Sequence, residues 1–220
     1  MDAARRIKYL VYGLAGLLLL AVAGSMLYGV KKKRDLETTA LASAADATAR
    51  LQEAASGKAD AARLQAHAQA VAQNLETLRR EDLSLNKPLA EAAELYLADA
   101  QAILRNHAAA ARARGALVAS RRALAAHLAN ATGRGTPWIQ QALTLKTRAE
   151  RDSFDYRTAV GALAGLYHAH GESQEKMRAA APGVPLLEEA QRQSLRQQSL
   201  DAEKEAAAEI ERIRTMALPR

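Results

Sequence analysis

Residues Tyr9 to Val30 make an uninterrupted run of 22 residues without a charge, and basic side chains close it at both ends. Arg5, Arg6 and Lys8 precede the run, and Lys31, Lys32, Lys33 and Arg34 follow it. At ~1.5 Å per residue a helix of this length reaches about 33 Å, which matches the ~30 Å hydrocarbon core of a bilayer. Tyr9, Tyr12 and Tyr28 lie near its ends, where amphipathic rings favour the headgroup level. The run is therefore expected to be a single N-terminal transmembrane helix, with the lipid bilayer as the partner of residues 9–30.

A cleaved leader is the alternative. Ala21-Val22-Ala23 has the small-x-small form of a cleavage site, and Met1 to Lys8 could act as its basic head. A leader needs only ~7–15 apolar residues, whereas this run continues through Met26, Leu27, Tyr28 and Val30 to the basic block. The expectation is a retained anchor.

The net charge of +7 invites a nucleic-acid reading until it is divided along the chain. Residues 1–34 hold seven basic side chains and one acidic, leaving 24 basic and 23 acidic in the rest. The excess is thus a membrane-flank effect. A basic face on one helix can hide in a neutral total, but no stretch interleaves aromatics with arginine as single-strand binders do. No nucleic-acid partner is expected.

Basic residues on the two sides of the anchor nearly balance, so their count does not set the orientation. An N-terminal anchor with a short tail commonly acts as an uncleaved export signal. The reading is a bacterial inner-membrane protein, single-pass, with its larger part in the periplasm. The chain has no cysteine, which fits either compartment.

Beyond Leu36 the sequence reads as all-α. There are 53 alanines, with abundant Leu, Arg, Glu and Gln, against one Phe and one Trp. Gly and Pro mark the joints: Ser56-Gly57, Pro88, Gly133-Arg134-Gly135 and Pro182-Gly183-Val184-Pro185. A helix over about 58–80 carries a heptad seam, with Leu64, Val71 and Leu78 on one register and Ala61, Ala68 and Leu75 on the other. A third helix, about 89–131, is expected to turn Leu89, Tyr96, Ala100, Ile103, His107, Val118, Ala125 and Leu128 inward. Thr136-Pro137 starts a fourth, as cap and first helical residue, running to about His170. Ile139, Leu143, Phe154, Val160, Ala164 and Tyr167 are expected on its inner face, and Gly171 is expected to interrupt the chain.

The last helix, about 186–216, has few large apolar residues: Leu187, Leu195, Leu200, Ile210 and Ile213. It is expected to pack weakly or to need a partner. The predicted architecture is a transmembrane helix continuing into an elongated antiparallel bundle of four to five long helices. The expected divisions are 1–34 for tail and anchor, 35–180 for the bundle and 181–220 for the terminal helix. Gly13, Ala21, Ser25 and Gly29 share one face of the anchor, so a homo-oligomer is a further expectation.

No catalytic, cofactor-binding or metal-binding residues are expected from the sequence. His168 and His170 are two apart on a helix and point away from one another. The His168–Glu172 pair has ligand spacing but lies beside Gly171, where solvated side chains are expected. His107 reads as a core histidine with a satisfied hydrogen bond. Glu150, Asp152 and Asp155 sit among Arg148, Arg151 and Arg157, a pattern that predicts a salt-bridged solvent face. Trp138 reads as a bundle cap. No Glu-x-x-His pair, phosphate loop or nucleophile elbow occurs. The function expected is a membrane-anchored scaffold or adaptor that contacts other envelope proteins, and not an enzyme. The alternative is an extracytoplasmic ligand-sensing bundle that signals through a partner.

Overall fold

The computed structural model describes residues 2–130 and 135–216, the side chains of 2–17, 19 and 20 excepted. Five helices make up the fold, with no strand among the described residues: α1 Asp2–Ala55, α2 Ala61–Arg79, α3 Lys87–Ala129, α4 Thr136–Ala180 and α5 Glu189–Thr215. The joints fall where glycine, proline and short polar side chains require them. Gly57 has φ +68°, a left-handed conformation that glycine adopts without penalty, and α1 ends just before it. Asp60 caps α2 by accepting the Arg63 backbone N–H at 2.8 Å. A 3₁₀ turn, Leu83–Asn86, leads into α3, where Pro88 occupies the first turn. Thr136 itself lies inside α4; Gly135 holds the cap position without a side-chain bond, which corrects the capping role expected of the threonine.

α3 and α4 form the spine. With 43 and 45 residues, each extends about 65 Å. α1, α3 and α5 run one way, and α2 and α4 the other. The α1–α2 hairpin covers the first half of α3, tied by Asn86 donating to Glu37 at 2.9 Å and by Arg79 to Glu94 at 2.8 Å. α5 returns along α4, and its end is held where Lys146 Nζ donates to the Arg214 and Met216 carbonyls, each at 2.8 Å.

The main core joins Leu36, Leu51, Tyr96, Leu97, Ile103, Tyr167, Met177 and Leu187. The seam on α2 faces it, with Leu64, Ala68, Val71, Leu75 and Leu78 buried. A second, small cluster near the far tip consists of Leu124, Ala149 and Ile213. Leu187, at the approach to α5, and Leu195, near its start, join the first core, and Ile213, from its end, joins the second.

Several inward assignments need correction. On α3 the buried positions keep a strict seven-residue step through Leu89, Tyr96, Ile103, Ala110, Leu117 and Leu124. Val118 and Ala125 are one position off that line and are exposed. On α4, Val160, Ala164 and Tyr167 are buried, but Ile139, Leu143 and Phe154 face outward at 37%, 50% and 58% exposure. Helices on two sides of α4 select small and polar side chains there, Ala142, Ala149, Asp152 and Ser153, since these permit close approach. Gly171 does not end α4, which continues to Ala180.

α1 leaves the bundle below Leu36. Leu18, Val22, Met26, Leu27, Tyr28 and Val30 are exposed, with no other helix covering them. Among the described residues no helix is long and apolar enough to cross a membrane. The expected span therefore has no support there, and many of its side chains, at 9–17, 19 and 20, lie outside the described residues.

Gly171 is needed for a close approach. A Cβ at this position would meet Arg192 Nη1 at 2.5 Å, and that guanidinium donates to the Tyr167 carbonyl at 2.9 Å. The bond anchors the start of α5 on α4. Gly171→Ala gains about 1 kcal/mol of helix propensity but displaces a charged hydrogen bond worth about 1.5–3 kcal/mol. Urea unfolding should show a net loss of about 1 kcal/mol. Gly165→Ala, with open space around its Cβ, should gain up to about 1 kcal/mol, as should Gly171→Ala once Arg192 is alanine.

Candidate functional site

Two features stand out from the packed helices: a polar cluster inside the main core and an open cleft along the far half of the spine.

The cluster forms where α1, α3, α4 and the Pro182–Pro185 corner meet. The Thr48 hydroxyl lies 2.9 Å from both the Ala44 and Pro185 carbonyls, which take its single proton, so Tyr96 donates to Thr48 Oγ1 at 2.6 Å. Burial pushes the Tyr96 phenol up to about 12, with the Thr48 hydrogen bond opposing. His170 lies against Tyr96 with ring centroids 4.7 Å apart. It is fully buried, and neither ring nitrogen has a partner among the described residues. Burial, then the nearby Arg192 charge, lowers it to about 4. One turn on, Gln174 donates to the Leu187 carbonyl while its own oxygen is buried without a partner among the described residues. With α4 unbroken at Gly171, His170 faces α3, while His168, two residues away, is exposed.

His107 meets the Tyr167 hydroxyl at 2.6 Å. Burial lowers the imidazole to about 4 and raises the Tyr167 phenol well above its usual range. The neutral ring therefore accepts from the phenol through Nε2 and keeps its own proton on Nδ1. This is the satisfied core histidine expected at 107. His67 accepts from Arg50 through Nδ1 at 2.9 Å, with Nε2 3.1 Å from Glu53. His127 stacks on Trp138 at 4.8 Å and donates to its carbonyl, while the indole N–H donates to Asn130 at 3.1 Å, so the pair fastens the spine's far tip. His168 and Glu172 are exposed.

The acidic group on α4 is dispersed. Glu150 pairs with Arg214 on α5 at 3.1 Å and Asp155 is exposed. Asp152 is buried, 3.9 Å from Arg148, because it faces neighbouring helices and not solvent, which corrects the solvent-face reading. Among the described residues no three His, Cys, Asp or Glu side chains gather as a metal site.

The cleft arises because α3 and α5 both lie against α4 and hardly touch each other. Its outer part, about 410 Å³, is walled by Val118, Leu124, Ala125, Leu128, Ile213 and Met216 and rimmed by Arg121, Arg122 and Arg212. It continues past Arg114 and Tyr156 as a space of about 650 Å³. It ends near the α1–α2 turn in a recess of about 300 Å³ that His107 and Ser199 help to line. Glu209 crosses it, held by Arg121 at 3.1 Å and Arg212 at 2.8 Å. Arg114 and Arg122 are exposed and make no ion pair among the described residues.

The division of charge at residue 34 did not bring this cleft into view. A finer division does: the 49 residues from Gln101 to Ala149 contain eight Lys or Arg and no Asp or Glu. The chain matches no family model, no curated protein and no solved structure.

His170, buried, and His107, half-buried, are both neutral and make stability depend on pH. Their ordinary value of 6.5 applies in the unfolded chain and about 4 in the fold, so the unfolded chain binds protons first. Stability should be full above pH 6.5 and fall as pH drops from 6.5 toward 4, by at most about 3 kcal/mol per histidine. Asp99, whose carboxyl burial pushes upward, works in the opposite sense. His170→Phe keeps a ring against Tyr96 and removes two buried unpartnered nitrogens. It should leave stability at pH 7 unchanged or about 1 kcal/mol higher and flatten the acid limb in urea titrations.

Proposed function

We propose that this chain is a membrane-anchored helical scaffold or adaptor of the bacterial cell envelope, acting by protein–protein contact. The observation that carries this reading is the open cleft between α3 and α5, where apolar side chains are left uncovered beside arginines without ion pairs among the described residues. Ile139, Leu143 and Phe154 on the outer face of α4 add further exposed apolar area. Contiguous apolar surface of this kind marks interaction sites more often than it marks bare solvent faces.

The anchor belongs to the same proposal. It is supported by the uncharged Tyr9–Val30 run, by its basic flanks, and by the exposed Leu18, Val22, Met26, Leu27, Tyr28 and Val30. In this reading residues 9–30 span the inner membrane and the bundle stands in the periplasm. Other envelope proteins are its partners, and self-association through the anchor is part of the proposal.

A second reading, a ligand-sensing bundle that signals through a partner, draws on one observation. The recess beside His107 has walls mainly of Ala, Leu and Val, suited to a small apolar molecule. A compound that raises the melting temperature, with loss of the effect on filling the recess by Ala110→Phe, would favour the sensor.

Topology is the decisive test of the main reading. Reporters fused after Arg220, one active only outside the cytoplasm and one only inside, should give the outside signal. An inside signal would make the bundle a cytoplasmic docking platform and remove the periplasmic assignment.

A further inference from the structure

We propose that the cleft between α3 and α5 receives an amphipathic helix of a partner protein, with acidic residues flanking its apolar stripe. The inference rests on the adaptor reading and names the surface and the chemistry of the partner. From Arg114 to Leu128 the α3 wall is about 20 Å long, room for four turns of helix. Val118, Ala125, Leu128 and Met216 offer the apolar seat, over the buried Leu124 and Ile213, in the manner of helix-in-groove recognition.

Charge selects the occupant. Glu209 is already held by two arginines, whereas Arg114 and Arg122 have no anion among the described residues, and α3 carries no acidic residue after Asp99. Acidic flanks on an incoming helix would supply the missing counter-charges and speed its encounter. A second copy of this chain fits poorly. Its free apolar face, Leu143 and Phe154 on α4, is bordered by Arg148, Arg151 and Arg157, which would meet like charge. The chain's own membrane is out of reach: Arg114 lies about 40 Å along α3 from Lys87 at the base, against a screening length of ~8 Å. The walls are aliphatic, and Tyr156 alone cannot stack successive bases.

The test places a photoreactive residue at Val118 or Ala208 in the cleft, or at exposed Gln69 on α2, in the full chain within membranes of its own host. Cross-linked peptides are then sequenced. The expected result is one partner segment captured from both cleft positions and not from Gln69, with an apolar stripe and acidic flanks. Capture should fall at least about tenfold in the Arg114→Glu/Arg122→Glu double variant. It should return when acidic residues of the captured segment are changed to lysine. Both arginines are exposed and outside the ion pairs of the bundle, so circular dichroism and melting should match the parent chain.

Adducts to lipid, to nucleic acid or to another copy of this chain would overturn the proposal, as would no adduct in the cleft or one indifferent to charge reversal. A partner that co-purifies with the parent chain and equally with the double variant leaves the adaptor reading standing and removes the cleft. With no co-purifying partner and no adduct at any position, the adaptor reading itself fails.

Discussion

The contact between Tyr96 on α3 and the stretch of α4 from Tyr167 to Gln174 is the point at which most of the chain is tied together. Tyr96 reaches Thr48 on α1, Thr48 reaches the Pro185 carbonyl, and Gln174 holds the Leu187 carbonyl at the approach to α5. Arg192 then lies over Gly171 and bonds to Tyr167. Four helices and the corner between the last two thus share one small volume. Buried polar groups are costly unless paired, so a cluster of this kind favours one arrangement of helices over the sliding alternatives that alanine-rich surfaces permit. His170 is the exception inside it, a buried ring with no partner for either nitrogen among the described residues.

From that point the two ends of the bundle differ. Toward the base, α1 and α2 add large side chains, and the core there includes Leu36, Leu51, Leu97 and Ile103. Toward the tip only Leu124, Ala149 and Ile213 are joined, with Leu128, Leu145 and Met216 against them. Three helices continue to the tip, and two of the three are separated. The cleft is the geometric consequence. Its apolar wall and arginine rim lie at the end farthest from where α1 leaves the bundle.

Much of the candidate site was hidden from the sequence for electrostatic and geometric reasons. A charge total over residues 35–220 averages the acid-free stretch from Gln101 to Ala149, with its eight basic side chains, mainly against residues 35–100, where eleven acidic side chains outnumber six basic ones. His107 was legible because its stripe on α3 is regular and its role needs only one partner. His170 and Asp152 were not: His170 was weighed only for its direction relative to His168, and Asp152 from the arginines beside it in sequence. Their burial comes from helices far away in the chain.

The sequence by itself determined that the described chain is helical and where most of its helices stop, α4 excepted. Alanine, leucine, arginine and glutamate set the local preference, while Gly57, Asp60, Pro88 and the Pro182–Pro185 corner set the limits, all through interactions within a few residues. The seam of α2 was equally local, a seven-residue repeat of large side chains against small ones. Only the tertiary structure decided which face of α4 is inside, because alanine recurs on every face and periodicity then carries little information. It also decided that Gly171 admits a guanidinium instead of ending a helix. The separation of α3 from α5 was likewise decided there, since it depends on how two helices seat on a third.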